Sequence, residues 1–218
     1  MTLTIAEELL LLGYHDETGR PQAGSVELDA AVAGALLAEL AVAGRIDLRD
    51  DMVVVTDRSP VGDEELDAVL ARVHGEPKPR KAQWWVERLR SGELRKRLLR
   101  RLAERGVLSE ETTKLFGLIP LRRYPERDPS AEQEIRRRIE NVLTGADPDP
   151  RTAVLISLLH AARLDRKAFP KTHRRRIKEI AEGEWAGAAV YRAIVAVQAA
   201  VTAAVAAAIA ATSAAAGS

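Results

Sequence analysis

The sequence predicts a mainly α fold: a single-domain helical bundle over residues 1–218, with an apolar C-terminal core helix and small β-hairpins. Three observations carry this reading. Apolar residues recur at spacings of three and four through most of the chain, the signature of one buried helix face. Lone glycines stand where those periodic segments end. From Val190 to Ala216 alanine dominates, and Val190, Ile194, Val197, Val201, Val205 and Ile209 keep the same spacing. With 218 residues, 46% hydrophobic and 30% charged, the chain is long enough for one sizeable core and too apolar to stay disordered.

Thr4-Ile5-Ala6-Glu7 is a capping-box pattern that opens a helix from Ile5 to Leu12, stopped by Gly13. Asp16-Glu17-Thr18-Gly19 reads as a turn. Leu28 to Ala43 is a helix with Leu28, Val32, Leu36, Leu37 and Leu40 apolar, ended by Gly44. Arg45-Ile46-Asp47-Leu48 and Met52-Val53-Val54-Val55 flank Asp50-Asp51 as a hairpin. A helix followed by a hairpin is also the order of a winged helix, but Ala30 to Ala43 carries no Arg or Lys for DNA phosphates. Asp63 to Val73 is helical, and Glu76 to Arg80 reads as a surface linker. Ala82 to Arg105 is mostly helical, with a break near Gly92 and a stripe of Leu94, Leu98 and Leu102; Gly106 caps it. Ser130 to Leu143 is a helix with Ser130 and Gln133 as cap partners. A turn at Gly145 to Pro150 leads into an apolar helix from Thr152 to Ala162. Lys171 to Glu182 is basic and helical, and helices around Trp185 and along the alanine-rich tail complete the chain.

The tail is long enough to span a bilayer. Alanine supplies little insertion energy, and Arg192, Gln198, Thr202 and Ser213 interrupt it, so the pattern favours a buried bundle helix. The N-terminus lacks the basic region and apolar run of a secretory signal. The sequence has no cysteine, which removes thiol nucleophiles, thiolate metal sites and disulfides and fits a reducing cytosol. His15, His74, His160 and His173 have no metal-ligand spacing, and there is no Gly-rich phosphate loop. His160, in an apolar run, is expected to be a core histidine bonded to backbone. Asp147 and Asp149 flank Pro148 as turn and cap residues. The chain is therefore read as a non-enzyme, with no catalytic residue, no metal and no cofactor.

The informative feature is an apolar knuckle, Leu115-Phe116-Gly117-Leu118-Ile119-Pro120-Leu121, followed at once by Arg122-Arg123-Tyr124. Gly117 and Pro120 argue against a helix there. Upstream lies the basic segment Arg95-Lys96-Arg97-Leu98-Leu99-Arg100-Arg101, and Arg136 to Arg138 and Arg174 to Arg176 add two more clusters. The net charge is only +1, so no global field points to nucleic acid. Clustered arginines beside a greasy tip suit an anionic membrane surface, because the guanidinium fork grips phosphate. The competing readings are a knuckle packed in the protein's own core and a knuckle that joins subunits. A single basic cluster can equally be a solvated helix face paired with glutamates. Trp84, Trp85 and Trp185 read as core or interface anchors.

Several segments, in order, resemble one family. Thr2-Leu3-Thr4-Ile5-Ala6-Glu7-Glu8-Leu9-Leu10-Leu11-Leu12-Gly13 is similar to the opening motif of the Golgi phosphoprotein 3 family. So are Leu36 to Ala41 with Gly44-Arg45-Ile46, Pro60 to Asp63 with Leu66-Asp67, and Trp85-Val86-Glu87. Arg95 to Leu98, Glu104 to Leu108 and Arg151 through Ala161 extend the likeness. The compact loops and alanine-rich tail are similar to the bacterial, actinobacterial-type branch. The resemblance implies a mostly α-helical domain with a protruding β-hairpin, which falls on Leu115 to Tyr124. It also implies a peripheral protein that binds phosphatidylinositol 4-phosphate and the cytosolic tails of Golgi glycosyltransferases. The family's pocket uses a tryptophan and three arginines; these positions fall on Gly24, Ala33, Gly92 and Arg95, so only Arg95 is kept.

The resulting expectation is a cytoplasmic adaptor on the inner face of a membrane, bound to an anionic phospholipid. Arg95, Arg97 and Arg101 would meet headgroups. Phe116, Leu118, Ile119, Leu121, Arg122 and Arg123 would form the inserting hairpin. Partners are the membrane, cytosolic tails of membrane proteins and a second copy through the hairpin, with no nucleic acid. The alternative is a soluble interaction module that oligomerises through the hairpin without binding lipid.

Overall fold

In the computed structural model the backbone is described for residues 2–115, 119–182 and 188–216, and side chains for all of these except 113–115, 119–121, 188–191, 193–194 and 215–216. The elements are α1 (Ile5–Gly13), α2 (Ser25–Val42), β1 (Ile46–Arg49), β2 (Met52–Val55), α3 (Glu64–Gly75), β3 (Arg80–Lys81), α4 (Ala82–Leu89), α5 (Gly92–Glu104), β4 (Glu111–Leu115), β5 (Ile119–Arg123), α6 (Ser130–Leu143), α7 (Pro150–Ala161), α8 (Asp165–Ala168), a 3-10 turn (Lys171–His173), α9 (Arg174–Ala181) and α10 (Ala188–Ala216). The fold is mainly α, as the periodicity requires.

At the centre lies α2, buried on nearly every side from Leu28 to Ala41 and packed against α1, α3, α4, α7 and α10. It begins at Ser25, three residues before the apolar run, because Gly24 serves as the N-cap without a side-chain hydrogen bond. A helix covered all round has no face to offer a DNA groove, which disposes of the winged-helix order. The capping box on α1 is complete: Glu7 N–H donates to Thr4 Oγ1 (3.2 Å) and Thr4 N–H donates to Glu7 Oε2 (2.8 Å).

Gly34 of α2 is where α10 comes closest. A Cβ there would lie 2.5 Å from Val201 Cγ2 and 3.2 Å from Val197 Cγ1. In α10, Val197, Val201 and Val205 are buried, while Thr202, Ala203, Ala206 and Ala207 face outward. So α10 is a core helix on one face only. By length and composition its Val195–Ala214 stretch could cross a membrane. Trp185 and the side chains of Val190 and Ile194 lie outside the described residues.

The sheet β1-β2-β3 is antiparallel, and Asp50 and Asp51 close the first turn at φ 51° and 62°. Left-handed values at both turn positions are what a two-residue hairpin needs, and aspartate tolerates them. The expected linker is partly strand: Arg80 and Lys81 pair with Val53 and Met52. On α6 the cap differs from expectation. Ser130 is the first helical residue, and its N–H donates to Asp128 Oδ1 (3.0 Å), so Asp128 does the work expected of Ser130 and Gln133. Asp149 caps α7 by accepting from Arg151 and Thr152 N–H.

Candidate functional site

The knuckle forms part of a two-stranded antiparallel hairpin, longer than its apolar core: Glu111 opposes Arg123, Thr112 opposes Arg122, and Leu115 opposes Ile119. Among the described residues neither β4 nor β5 packs substantially against any other element. The foot of the hairpin is fixed to the body instead. Tyr124 N–H donates to Gly19 O (3.1 Å), Glu126 N–H to Asp16 O (2.8 Å), and the Tyr124 ring meets Tyr14 edge-on with centroids 6.3 Å apart. Gly19 has φ +57°, and a Cβ there would lie 2.3 Å from Pro125 N, so this close approach requires glycine. Phe116 and Leu118 lie outside the described residues, as do the side chains of Ile119 and Leu121. Arg122 is exposed and pairs with Glu110 (3.0 Å); Arg123 is half-buried.

Three of the four α5 arginines, Arg95, Arg97 and Arg101, end on the protein's own carboxylates. Arg95 sits 3.3 Å from Asp29 and also reaches Ser25 O. Arg97 makes a bidentate pair with Glu65 (2.6 and 2.9 Å), and the hydrogen bond to that carboxylate raises its pKa. Arg101 bridges Glu7 and Asp63, each at 2.8 Å. Burial works to lower the Arg101 pKa, but those two carboxylates leave it raised. Burial pushes the Asp29 carboxyl above its ordinary range against the pull of Arg95. An incoming phosphate would have to displace these partners. Of the other expected pocket positions, Gly24 caps α2, Ala33 is fully buried, and Gly92 opens α5. Beside Arg95, Gly24, Ser25, Glu27 and Arg90 line an open cleft of about 600 Å³ against α10.

Glu7, Glu8 and Glu39 form a buried acidic core that sequence inspection did not reveal. Glu7 takes Arg101 and Arg105, Glu8 takes Arg138, and Glu39 takes Arg151. One other sequence expectation changes. His160 is bonded through Nδ1 to Asp165 (2.9 Å) rather than to backbone, and its side chain is 41% exposed. Trp84, half-buried, lies beneath the Arg80 guanidinium (4.9 Å), while Trp85 is buried. Among the described residues no group of three or more metal-ligating side chains comes together.

The geometry defines a mainly α protein with a two-stranded hairpin whose strands, among the described residues, pack little on the helices. The chain belongs to the Golgi phosphoprotein 3 (GPP34) family, whose model matches residues 5–197. It is 33% identical over 166 residues to vacuolar protein sorting-associated protein 74 of Eremothecium gossypii, covering 65% of this chain and 49% of that protein. The protein of the same name in Schizosaccharomyces pombe is 29% identical over 166 residues, 65% of this chain and 48% of its own length. The chain thus spans about half the length of these curated relatives.

Proposed function

We propose that this chain is a non-enzymatic peripheral membrane adaptor. It docks from the cytoplasm on phosphatidylinositol 4-phosphate or another anionic phospholipid and inserts the apolar tip of its β4–β5 hairpin. The observation that supports this reading is a hairpin whose middle, Leu115 to Leu121, is apolar in sequence and whose strands, among the described residues, pack little on the helices. An apolar segment without a core to enter is stabilised by an acyl boundary, and each buried side chain contributes about 1.5–3 kcal/mol. Arg122 and Arg123 stand in β5, before the foot of the hairpin, where lipid phosphates would meet them.

Arg95, Arg97 and Arg101 meet headgroup phosphates only in exchange for Asp29, Glu65, Glu7 and Asp63, so docking is competitive and discriminates weakly among anionic lipids of equal charge. Cytosolic tails of membrane proteins are the protein partners this reading implies. The free outer edges of β4 and β5 favour one second reading, a soluble module that pairs with another copy strand to strand.

Vesicle co-sedimentation of Phe116→Asp with Ile119→Asp separates the two. The expected result is loss of binding to vesicles of phosphatidylcholine with phosphatidylglycerol, at unchanged thermal stability. A variant that binds normally but changes its sedimentation coefficient assigns the hairpin to a subunit contact. A variant that unfolds assigns it to the core.

A further inference from the structure

The formal charge of +1 conceals a strong asymmetry. Residues 163–178 hold eight Arg and Lys against one carboxylate, a net +7, which leaves −6 for the rest of the chain. The single carboxylate, Asp165, is buried and committed to His160. On α5, Arg95, Arg97 and Arg101 are answered by acids from other elements, whereas here Arg163, Arg166, Lys171 and Arg174 are exposed and have no carboxylate partner among the described residues. Arg175 is 92% exposed and touches Glu179 only at 3.5 Å.

This corner adjoins the hairpin foot. Lys167 Nζ donates to Gln22 O, and Arg136, on the helix that follows the hairpin, donates to Ala168 O (3.3 Å). Gln22 ends the loop whose Gly19 and Asp16 carbonyls hold Tyr124 and Glu126. Two hydrogen-bonded steps therefore connect α8 to the base of β5.

We infer that the α8–α9 corner, through Arg166, Lys171 and Arg174, is a further phosphate-contacting surface that seats the protein on an anionic bilayer. The inference rests on the membrane reading above and names a contact that reading does not contain. An unpaired cation meets lipid phosphate without first surrendering a carboxylate, so the whole attraction is available on docking. The neighbouring apolar hairpin favours a bilayer over a nucleic acid, which offers no acyl phase to that tip.

The test is co-sedimentation with vesicles of phosphatidylcholine alone and of phosphatidylcholine doped with phosphatidylglycerol, at low and high salt. The variant is Arg166→Glu, Lys171→Glu, Arg174→Glu; the control is Arg49→Glu, Arg58→Glu, Arg72→Glu, three exposed cations without a carboxylate partner among the described residues, on β1, the loop after β2 and α3. The expected result is about 100-fold weaker binding of the first triple to doped vesicles, with unchanged thermal stability. The control, which avoids the α5 arginines, stays near wild type, since charges beyond a Debye length of about 10 Å from the lipid are screened. Equal loss in both triples would mean that only net charge matters and would overturn the inference. A first triple that binds like wild type would overturn it while leaving the hairpin reading intact. A wild type that ignores doped vesicles would bring down the membrane reading itself. Tighter binding of wild type to duplex DNA than to doped vesicles, lost in the first triple, would reassign the surface to nucleic acid.

Discussion

Glu7→Gln removes one negative charge from the interior with almost no change in volume. Glu7 is fully buried and accepts from Thr4 N–H (2.8 Å), Thr4 Oγ1 (3.1 Å), Arg101 Nε (2.8 Å) and Arg105 Nη1 (3.1 Å). A glutamine amide has one oxygen for these donors. Its NH2 must face either the two guanidiniums or the N-cap, donor against donor. Arg105 loses its carboxylate, whereas Arg101 keeps Asp63 at 2.8 Å. Breaking a buried pair from one side costs about 3–5 kcal/mol. The two arginines are 20% and 29% exposed, so water relieves part of the loss and the lower end, about 3 kcal/mol, is expected. For a chain of this length that lowers Tm by about 6–12 °C. Urea denaturation with a shared m-value measures the change. Arg97→Gln is the comparison: its bidentate pair with Glu65 is 48% exposed on the arginine side and is worth less than about 1 kcal/mol. A Glu7→Gln protein within about 1 kcal/mol of wild type, or an Arg97→Gln protein equally destabilised, would refute the division of the α5 arginines into buried struts and surface pairs.

Two further outcomes follow from burial and packing. Burial, with Asp16 and Glu126 nearby and Arg136 opposing, pushes the Glu132 carboxyl up to about 7. The folded state then binds more protons than the unfolded one between its ordinary value and pH 7, so stability falls as pH rises through that window; Glu132→Gln should flatten the slope, measured as urea midpoint against pH. Gly34→Ala drives a methyl into Val201 and Val197 of α10 and should cost about 1–3 kcal/mol in thermal or urea unfolding; a neutral result would mean that α10 shifts freely on α2.

What the sequence disclosed was local. The Thr4–Glu7 box, the Asp50-Asp51 turn and the Asp149 cap each lie within four residues, and each forms as read. Long-range pairing stayed hidden. Arg80 follows two prolines and looks like the end of a linker until Val53 supplies a strand to pair with. The arginines of α5 form a visible cluster, but Glu7 lies 94 residues from Arg101 and Glu65 lies 32 from Arg97, so nothing in the spacing shows that their charge is already answered. Likewise the basic run near Arg174 reads in the sequence as one cluster among three. That Arg166, Lys171 and Arg174 have no carboxylate partner among the described residues shows only once the chain is folded. The α2 start escaped because Gly24 caps without a side chain.

Among the described residues the hairpin strands pack little on the helices. On the membrane reading, substitutions near the tip are expected to bring little of the destabilisation that constrains buried positions. Selection reaches them through docking alone. Residence time on a surface can therefore drift or be adjusted, one tip residue after another, while the helices keep their sequence. Relatives in this family should diverge fastest in the three residues between β4 and β5 and slowest around Gly19, where the hairpin is fastened.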